Sequence, residues 1–111
     1  MAYDEELAHR VRELIADEDG LREMRMFGGL AFLLHGNMSV AVSSQGGLMV
    51  RVDPDASAEL LTRPHTRELE MRGRAMAGWV RVDADGVRTK RQLAPWVRRG
   101  VAFARTLPRK G

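Results

Sequence analysis

The stretch Met24-Arg25-Met26-Phe27-Gly28-Gly29-Leu30-Ala31-Phe32-Leu33-Leu34-His35 holds the densest apolar run of the chain, with a double glycine near its start. It continues through Gly36-Asn37 into Met38-Ser39-Val40-Ala41-Val42-Ser43. Two apolar segments joined by two turn-forming residues, glycine first, are typical of a β-hairpin with a type II′ turn. The pattern predicts two central antiparallel strands with a turn at Gly36 and Asn37.

The double glycine Gly28-Gly29 allows a bulge, a sharp bend or a close approach between backbones. A double glycine also exposes amides that suit a phosphate. However, no Gly-x-x-x-x-Gly-Lys-Ser/Thr motif follows, and the next segment has the pattern of a strand rather than a helix. We therefore predict a structural bend here in preference to a ligand-binding loop.

Two further strands extend this hairpin into an antiparallel meander. Glu23 to Phe27 is predicted to enter the sheet, and Leu48 to Val52 forms the next strand after a turn at Ser44-Gln45-Gly46-Gly47. Because side chains alternate along a strand, the turns assign each residue to one face. A bulge at Gly46-Gly47 would move the last strand to the opposite face.

Both faces of the predicted sheet are mostly apolar. The first carries Leu30, Phe32, Leu34, Ser39, Ala41, Ser43, Leu48, Val50 and Val52. The second carries Ala31, Leu33, His35, Met38, Val40, Val42, Met49 and Arg51. A sheet with one solvated face would alternate apolar and polar residues, so either helices cover both faces or one face is a contact surface. We expect the second face to bind a protein partner or a second copy of the chain through Leu33, Met38, Val40, Val42 and Met49.

Two helices are predicted before and after this meander. Asp4 to Glu18 carries an apolar stripe at helical spacing, formed by Leu7, Val11, Leu14 and Ile15. Asp19-Gly20 ends it. Asp53-Pro54 marks the start of a short second helix, and Pro64 marks its end.

The last helix is predicted to begin at Thr89-Lys90-Arg91-Gln92, which fits a capping box, and to run toward Leu107-Pro108. Pro95 lacks an N–H group, so we expect a bend between a first turn at 89–93 and a main body from about 94. The apolar side of the main body consists of Trp96, Val97, Gly100, Phe103, Ala104 and Leu107.

The remaining segments complete the predicted sheet. Glu68 to Arg72 alternates as a short edge strand, and Met76 to Val82 is the last strand. Together the elements predict a single α+β domain over residues 1–111, a two-layer antiparallel sheet with helices packed on it. Residues 108–111 form a basic tail.

A series of motifs in order along the chain resembles the N-terminal domain of the TfoX/Sxy family. They are Met26-Phe27-Gly28-Gly29-Leu30-Ala31-Phe32, Gly36-Asn37-Met38, Leu48-Met49-Val50-Arg51-Val52, Arg63-Pro64-His65, Gly73-Arg74-Ala75-Met76-Ala77-Gly78-Trp79-Val80, Ala94-Pro95-Trp96-Val97 and Phe103-Ala104-Arg105-Thr106-Leu107-Pro108. The resemblance implies a secretion-chaperone-like fold with the order α-β-β-β-α-β-β-α, in agreement with the pattern above.

The same resemblance implies a regulatory role without catalytic residues. The best-known members regulate competence for DNA uptake together with a transcription activator. They carry a second, C-terminal domain similar to helix-hairpin-helix modules. This chain ends where the first domain is expected to end, so the resemblance implies a protein-contact role for it, with a place in transcription regulation.

Composition is that of an ordinary folded domain, with 44% hydrophobic and 30% charged residues. The chain has no cysteine, which excludes disulfides and thiolate zinc sites. It has no apolar run long enough to span a membrane and no signal peptide at its acidic N-terminus. We therefore expect a cytoplasmic protein without membrane attachment.

Charge is divided unevenly along the chain. Residues 1–85 carry ten Lys/Arg and all fifteen Asp/Glu, a formal charge of −5, whereas residues 86–111 carry eight Lys/Arg and no acid. The basic end forms either a solvated helix face or a nonspecific, salt-sensitive DNA contact. The candidate DNA-binding residues are Arg91, Arg98, Arg99 and Arg105.

No catalytic or metal-binding pattern is present in the sequence. His9, His35 and His65 lack metal-ligand spacing. Glu68 and Glu70 share one side of an edge strand rather than a cleft, and no serine lies in a Gly-x-Ser-x-Gly motif. We expect no cofactor, no metal and no enzymatic activity. Both tryptophans are predicted to pack in the core or at its boundary, in preference to stacking on bases.

Overall fold

Six antiparallel strands form one sheet in the order β1-β2-β3-β4-β6-β5 in the computed structural model, which describes residues 3–26 and 28–110. The strands are β1 (Leu21–Met26), β2 (Gly29–Leu34), β3 (Asn37–Val42), β4 (Leu48–Arg51), β5 (Thr66–Met71) and β6 (Arg74–Val82). The helices are α1 (Glu5–Ile15), α2 (Ser57–Leu60) and α3 (Lys90–Arg105). The predicted α+β class is confirmed. The observed order of elements contains one strand more than the predicted order, because the segment before the double glycine forms the full strand β1.

Helices α1 and α3 pack together on one face of the sheet, and the main core lies between. From α1 it takes Leu7, Val11 and Ile15, as the apolar stripe predicts. From the sheet and α3 it takes Phe32, Leu34, Val40, Val42, Leu48, Val50, Val80, Val82, Leu93 and Val97. These side chains supply most of the apolar burial that stabilises the fold.

Side-chain hydrogen bonds cap the start of α1, the start of α3 and the start of a 3-10 turn, Pro54–Ala56, that precedes α2 where the sequence predicted the second helix to begin. Asp4 accepts a hydrogen bond from the Leu7 amide at 3.1 Å, and Asp53 accepts one from the Asp55 amide at 2.9 Å. Thr89 and Gln92 form the predicted capping box at the start of α3. These caps satisfy amides that have no partner inside the helix.

Helix α3 is continuous through Pro95, so the expected division into a first turn and a main body is wrong. Proline removes only the hydrogen bond to the carbonyl of Arg91. The capping box on one side and the buried Trp96 and Val97 on the other hold the helix together across this loss.

The central hairpin turns one residue earlier than the sequence predicts. Leu34 pairs with Asn37, so the two loop residues are His35 (φ 50°) and Gly36 (φ 86°). Two consecutive positive φ angles are typical of a type I′ turn rather than type II′. Gly36 therefore lies in the turn as predicted, whereas Asn37 begins β3. Its side chain is buried and donates to the carbonyl of Pro108 at 2.9 Å.

A β-bulge at Ser39 changes the face assignment of β3. Phe32 pairs with Val40 and Leu33 pairs with Met38, so Ser39 is an extra residue. Its hydroxyl donates to the carbonyl of Phe32 at 2.8 Å. The prediction that Val40 and Val42 lie on the second face is therefore wrong, because the bulge turns both into the core beneath α3.

The double glycine makes a structural bend, as predicted. Gly28 has a φ of 77°, and Gly29 pairs with Met26 across the β1–β2 hairpin. A Cβ atom on Gly29 would lie 2.2 Å from the carbonyl oxygen of Val42. A close approach between β2 and β3 therefore requires this glycine. Phe27, the expected end of the first strand, lies outside the described residues.

Candidate functional site

The face of the sheet opposite α1 and α3 carries a second apolar cluster, and we call this side the open face. Its centre is formed by Ala31, Leu33 and Ala41, over which three methionines pack, Met26, Met38 and Met49. Within residues 3–26 and 28–110, this cluster contains strand residues alone. Met24, on the same side of β1, is 43% exposed. The open face is therefore an apolar surface made largely of flexible, polarisable side chains.

The structure brings together three of the five predicted contact residues. Leu33, Met38 and Met49 lie on the open face, whereas Val40 and Val42 are fully buried on the other side. The residues that sequence analysis missed are Ala41, which the bulge moves onto the open face, and Met24 and Met26 of β1. The alternation of methionine and arginine along β1 is the sequence signal that indicates them.

Arginines border the open face. Arg22 lies opposite Leu33, and Arg81 lies opposite Met49 on the neighbouring strand. The Arg81 guanidinium donates to the Ser43 hydroxyl at 3.1 Å and to the Gly46 carbonyl at 2.9 Å. Because these bonds fix the side chain, its charge is held at the border of the face.

A groove of about 560 Å³ lies at the corner where β1 meets the β2–β3 turn. Its apolar lining includes Met24 and Leu33, and its charged lining includes Arg22, Arg109 and Lys110. The described lining residues include no carboxylate. The groove thus continues the open face with cationic character, which suits a segment that is both apolar and acidic.

The arginines of α3 do not form one continuous basic surface. Arg105 donates to the Glu18 carboxylate at 2.9 Å, and Arg99 lies 5.2 Å from the centre of the Trp96 ring. Arg91 and Arg98 are exposed, and neither makes an ion pair within the described part of the chain. Two of the four candidate DNA-binding side chains are therefore occupied by contacts inside the domain.

The tryptophans pack at the boundary of the core, as predicted. Trp96 is 8% exposed, and Trp79 is half-buried beside Arg51. The Arg51 guanidinium lies 5.9 Å from the ring centres of both Trp79 and Phe103. This arginine bridges the last strand and α3 through cation–π contacts, and the sequence had offered no sign of it.

An ion pair joins α1 to the edge of the sheet. The Arg12 guanidinium donates two hydrogen bonds to the Glu23 carboxylate, at 2.8 and 2.9 Å. These bonds favour the charged carboxylate, and they lower the pKa of Glu23 below its ordinary value of 4.5. The contact fixes the helix-side orientation of Glu23 on β1.

The match to a known family covers most of this structure. The family model described as the TfoX N-terminal domain matches residues 13–104. The chain belongs to the TfoX N-terminal domain family. This match confirms the resemblance carried by the ordered motifs. No curated protein and no solved structure shows significant similarity to the chain.

In this TfoX N-terminal domain, the tail beyond the matched residues is hydrogen-bonded to the central hairpin. The Lys110 amide donates to the carbonyl of His35 at 2.8 Å, and Pro108 accepts the hydrogen bond from Asn37. The tail therefore crosses the β2–β3 turn and brings its charges to the groove at the edge of the open face.

The three histidines of the TfoX N-terminal domain lie on different elements. His35 contacts Asp19 at 3.3 Å, whereas His9 and His65 are exposed elsewhere, on α1 and before β5. Within residues 3–26 and 28–110, no three His, Asp or Glu side chains are grouped closely enough to hold a metal ion. In the same residues, no helix has the length and apolarity that a membrane span requires.

Proposed function

We propose that this TfoX N-terminal domain is a non-catalytic protein-interaction module that binds its partner through the open face. The observation that carries the proposal is the methionine-covered apolar surface on a sheet whose other face is packed beneath two helices. Surfaces of this kind adapt to partners because methionine side chains repack at low cost. We further propose a role in transcription regulation in the cytoplasm, and the membership of the TfoX N-terminal domain family supports the regulatory part of this proposal.

The border of the open face indicates the chemistry of the partner. Arg22 and Arg81 flank the apolar cluster, and Arg109 and Lys110 line the adjoining groove. A segment that alternates apolar and acidic side chains would bury the former on the methionines and pair the latter with the arginines. We therefore propose an acidic, amphipathic protein segment as the ligand.

The test uses methyl NMR on protein labelled at the methionine methyl groups. A synthetic peptide that alternates leucine and glutamate is titrated against one that alternates leucine and lysine. The acidic peptide is expected to shift the methyl signals of Met24, Met38 and Met49, and the basic peptide is expected to leave them unchanged. Shifts confined to Met76, which lies outside the open-face cluster, would contradict the proposal.

A pair of matched variants tests the same surface by affinity. Met49→Lys places a charge in the centre of the open face, whereas Met76→Lys places the same charge on an exposed position of β6. The first is expected to weaken binding of the acidic peptide at least tenfold, and the second is expected to have little effect. Equal effects of the two variants would overturn the assignment of the open face.

A second proposal is nonspecific DNA binding by α3, and it is supported by the exposed Arg91 and Arg98. A labelled random duplex is titrated at about 50 and 200 mM salt and followed by fluorescence anisotropy. If the proposal holds, binding falls steeply with salt, and Arg91→Glu with Arg98→Glu abolishes it while the control Arg74→Glu does not. Absence of binding at the lower salt would reject it.

A further inference from the structure

Strand β1 is a regular, uncovered edge of the sheet. Its pairing with β2 runs without interruption from Leu21 to Met26, and in the part of the chain that the structure describes no strand lies on its other side. The opposite edge, β5, has a register shift between Glu68 and Glu70. Because irregular edges resist further pairing and regular ones accept it, β1 is the edge suited to an additional strand.

The hydrogen bond between Gly20 and His35, just before β1, shows which backbone groups of β1 face β2. The carbonyl of Gly20 accepts a hydrogen bond from the His35 amide at 3.0 Å. In an antiparallel ladder the residues alternate, so the amides and carbonyls of Arg22, Met24 and Met26 face β2. Those of Leu21, Glu23 and Arg25 face the free edge, where they are available to another strand.

This alternation limits how two copies of β1 can pair. Only residues with outward backbone groups exchange hydrogen bonds, so an outward residue must lie opposite an outward residue of the partner. The two-fold axis then runs perpendicular to the sheet and passes through one residue that meets its own copy. In this arrangement the open faces of both copies lie on the same side.

The two-fold axis can pass through any of four interior residues of β1, Arg22 to Arg25, and the charges of the strand favour one of these four registers. Centring the axis on Arg22, Glu23 or Arg25 places like charges directly opposite each other, which is unfavourable. Centring it on Met24 places Glu23 opposite the partner's Arg25, and the same pair forms twice by symmetry. The Glu23 carboxylate already accepts two hydrogen bonds from Arg12 of its own chain, so the partner's Arg25 would be a second cation beside it. Arg25 is exposed and makes no ion pair within residues 3–26 and 28–110, so its charge is free for this contact.

We propose that two copies of the chain associate edge to edge through β1, with Met24 on the two-fold axis and Glu23 paired with the partner's Arg25. Met24 is the most exposed large hydrophobic residue that the structure describes, at 43%, and the axis buries it against the partner's Met24. The product is a continuous twelve-stranded sheet with two adjoining open faces. This dimer forms whether or not the open face binds an acidic segment.

The test measures dimerisation of charge-reversal variants of β1 by sedimentation velocity, from micromolar to millimolar concentration. The wild type is expected to form a dimer. Glu23→Arg and Arg25→Glu each place like charges across the axis and should weaken dimerisation by about tenfold or more. An equimolar mixture of the two variants places unlike charges opposite each other at every such position, and it should restore association. Arg98→Glu, a matched charge reversal on α3, should leave dimerisation unchanged.

Three results would overturn the proposal. The first is a wild type that stays monomeric at millimolar concentration, and the second is a mixture that associates no better than either variant alone. The third is an equal loss of dimerisation in Arg98→Glu. Amide hydrogen exchange provides a second readout that needs no variant. The amides of Glu23 and Arg25 should gain protection as concentration rises, whereas that of Met24 should be protected at every concentration.

Discussion

Gly100 shows how one residue sets the distance between α3 and the sheet. A Cβ atom there would lie 2.5 Å from the carbonyl oxygen of Ser39 and 2.7 Å from Cγ1 of Val40. Alanine favours a helix over glycine by about 1 kcal/mol, but overpacking against a fixed backbone costs about 1–3 kcal/mol. We expect the overpacking to exceed the gain in helix propensity, so that Gly100→Ala lowers the free energy of unfolding by up to about 2 kcal/mol, measured by urea denaturation.

The control is on the same helix. Ala102 is exposed, so Ala102→Gly should lower the free energy of unfolding by about 1 kcal/mol through helix propensity alone. An increase in stability for Gly100→Ala would mean that α3 does not approach the Ser39 bulge this closely.

The Arg12–Glu23 ion pair makes stability depend on pH. The pKa of Glu23 is lowered in the folded protein, so its contribution is present above the ordinary value of 4.5 and is lost as the pH falls through the folded pKa. Because both side chains are partly exposed, Glu23→Gln should cost no more than about 1 kcal/mol at pH 7. The difference from wild type should shrink as the pH falls below 4.5 and through the lowered pKa of Glu23. Urea denaturation at low micromolar concentration measures both, and a difference that is constant with pH would contradict the assignment.

At the scale of the element, the bulge in β3 decides which residues belong to the core. Val40→Thr places a hydroxyl beneath α3, where it should cost about 1–3 kcal/mol of unfolding free energy. Met49→Thr, on the open face of the neighbouring strand, should cost less than Val40→Thr because its side chain is partly solvated. Chemical denaturation of both variants measures the difference. The register without a bulge predicts similar costs for the two variants, since it places Val40 and Met49 on the same face.

At the scale of the whole molecule, two hydrogen bonds connect the C-terminal tail to the β2–β3 turn. Removing residues 108–111 leaves the buried Asn37 amide without its acceptor and removes the hydrogen bond from Lys110 to His35. We expect this truncation to lower the free energy of unfolding by about 1–3 kcal/mol, measured by thermal and urea denaturation. Replacing Arg109 and Lys110 with alanine keeps both backbone contacts and should leave stability nearly unchanged. Equal losses would indicate that charge, not hydrogen bonding, holds the tail.

At the scale of the whole molecule, the basic end of the chain contacts its acidic first part. Arg105 of the basic end pairs with Glu18 of the acidic start, and Arg10 of α1 donates to the carbonyls of Val87 and Arg88 at 2.9 Å. The two ends of the chain therefore meet along α1 and α3. Their charges are partly balanced inside the monomer.

Most elements followed from local chemistry and were predictable. The caps at Asp4, Asp53 and Thr89 act within three residues, and the bend at Gly28-Gly29 needs only glycine. The alternation of apolar residues likewise indicated the strands and the presence of a second apolar face. Of the proposed contact residues, Leu33, Met38 and Met49 followed from the same alternation, because each lies close to a turn that sets its register.

The sequence by itself determined the class of fold, the positions of helices and strands, and the family. These depend on neighbours along the chain and on ordered motifs. Only the tertiary structure decided the bulge at Ser39, the continuity of α3 through Pro95 and the edge position of β1. The physical reason is that each depends on a partner far along the chain. Ser39 and Val40 meet Gly100, sixty residues away, and this contact holds Val40 and Val42 in the core and leaves Ala41 on the open face.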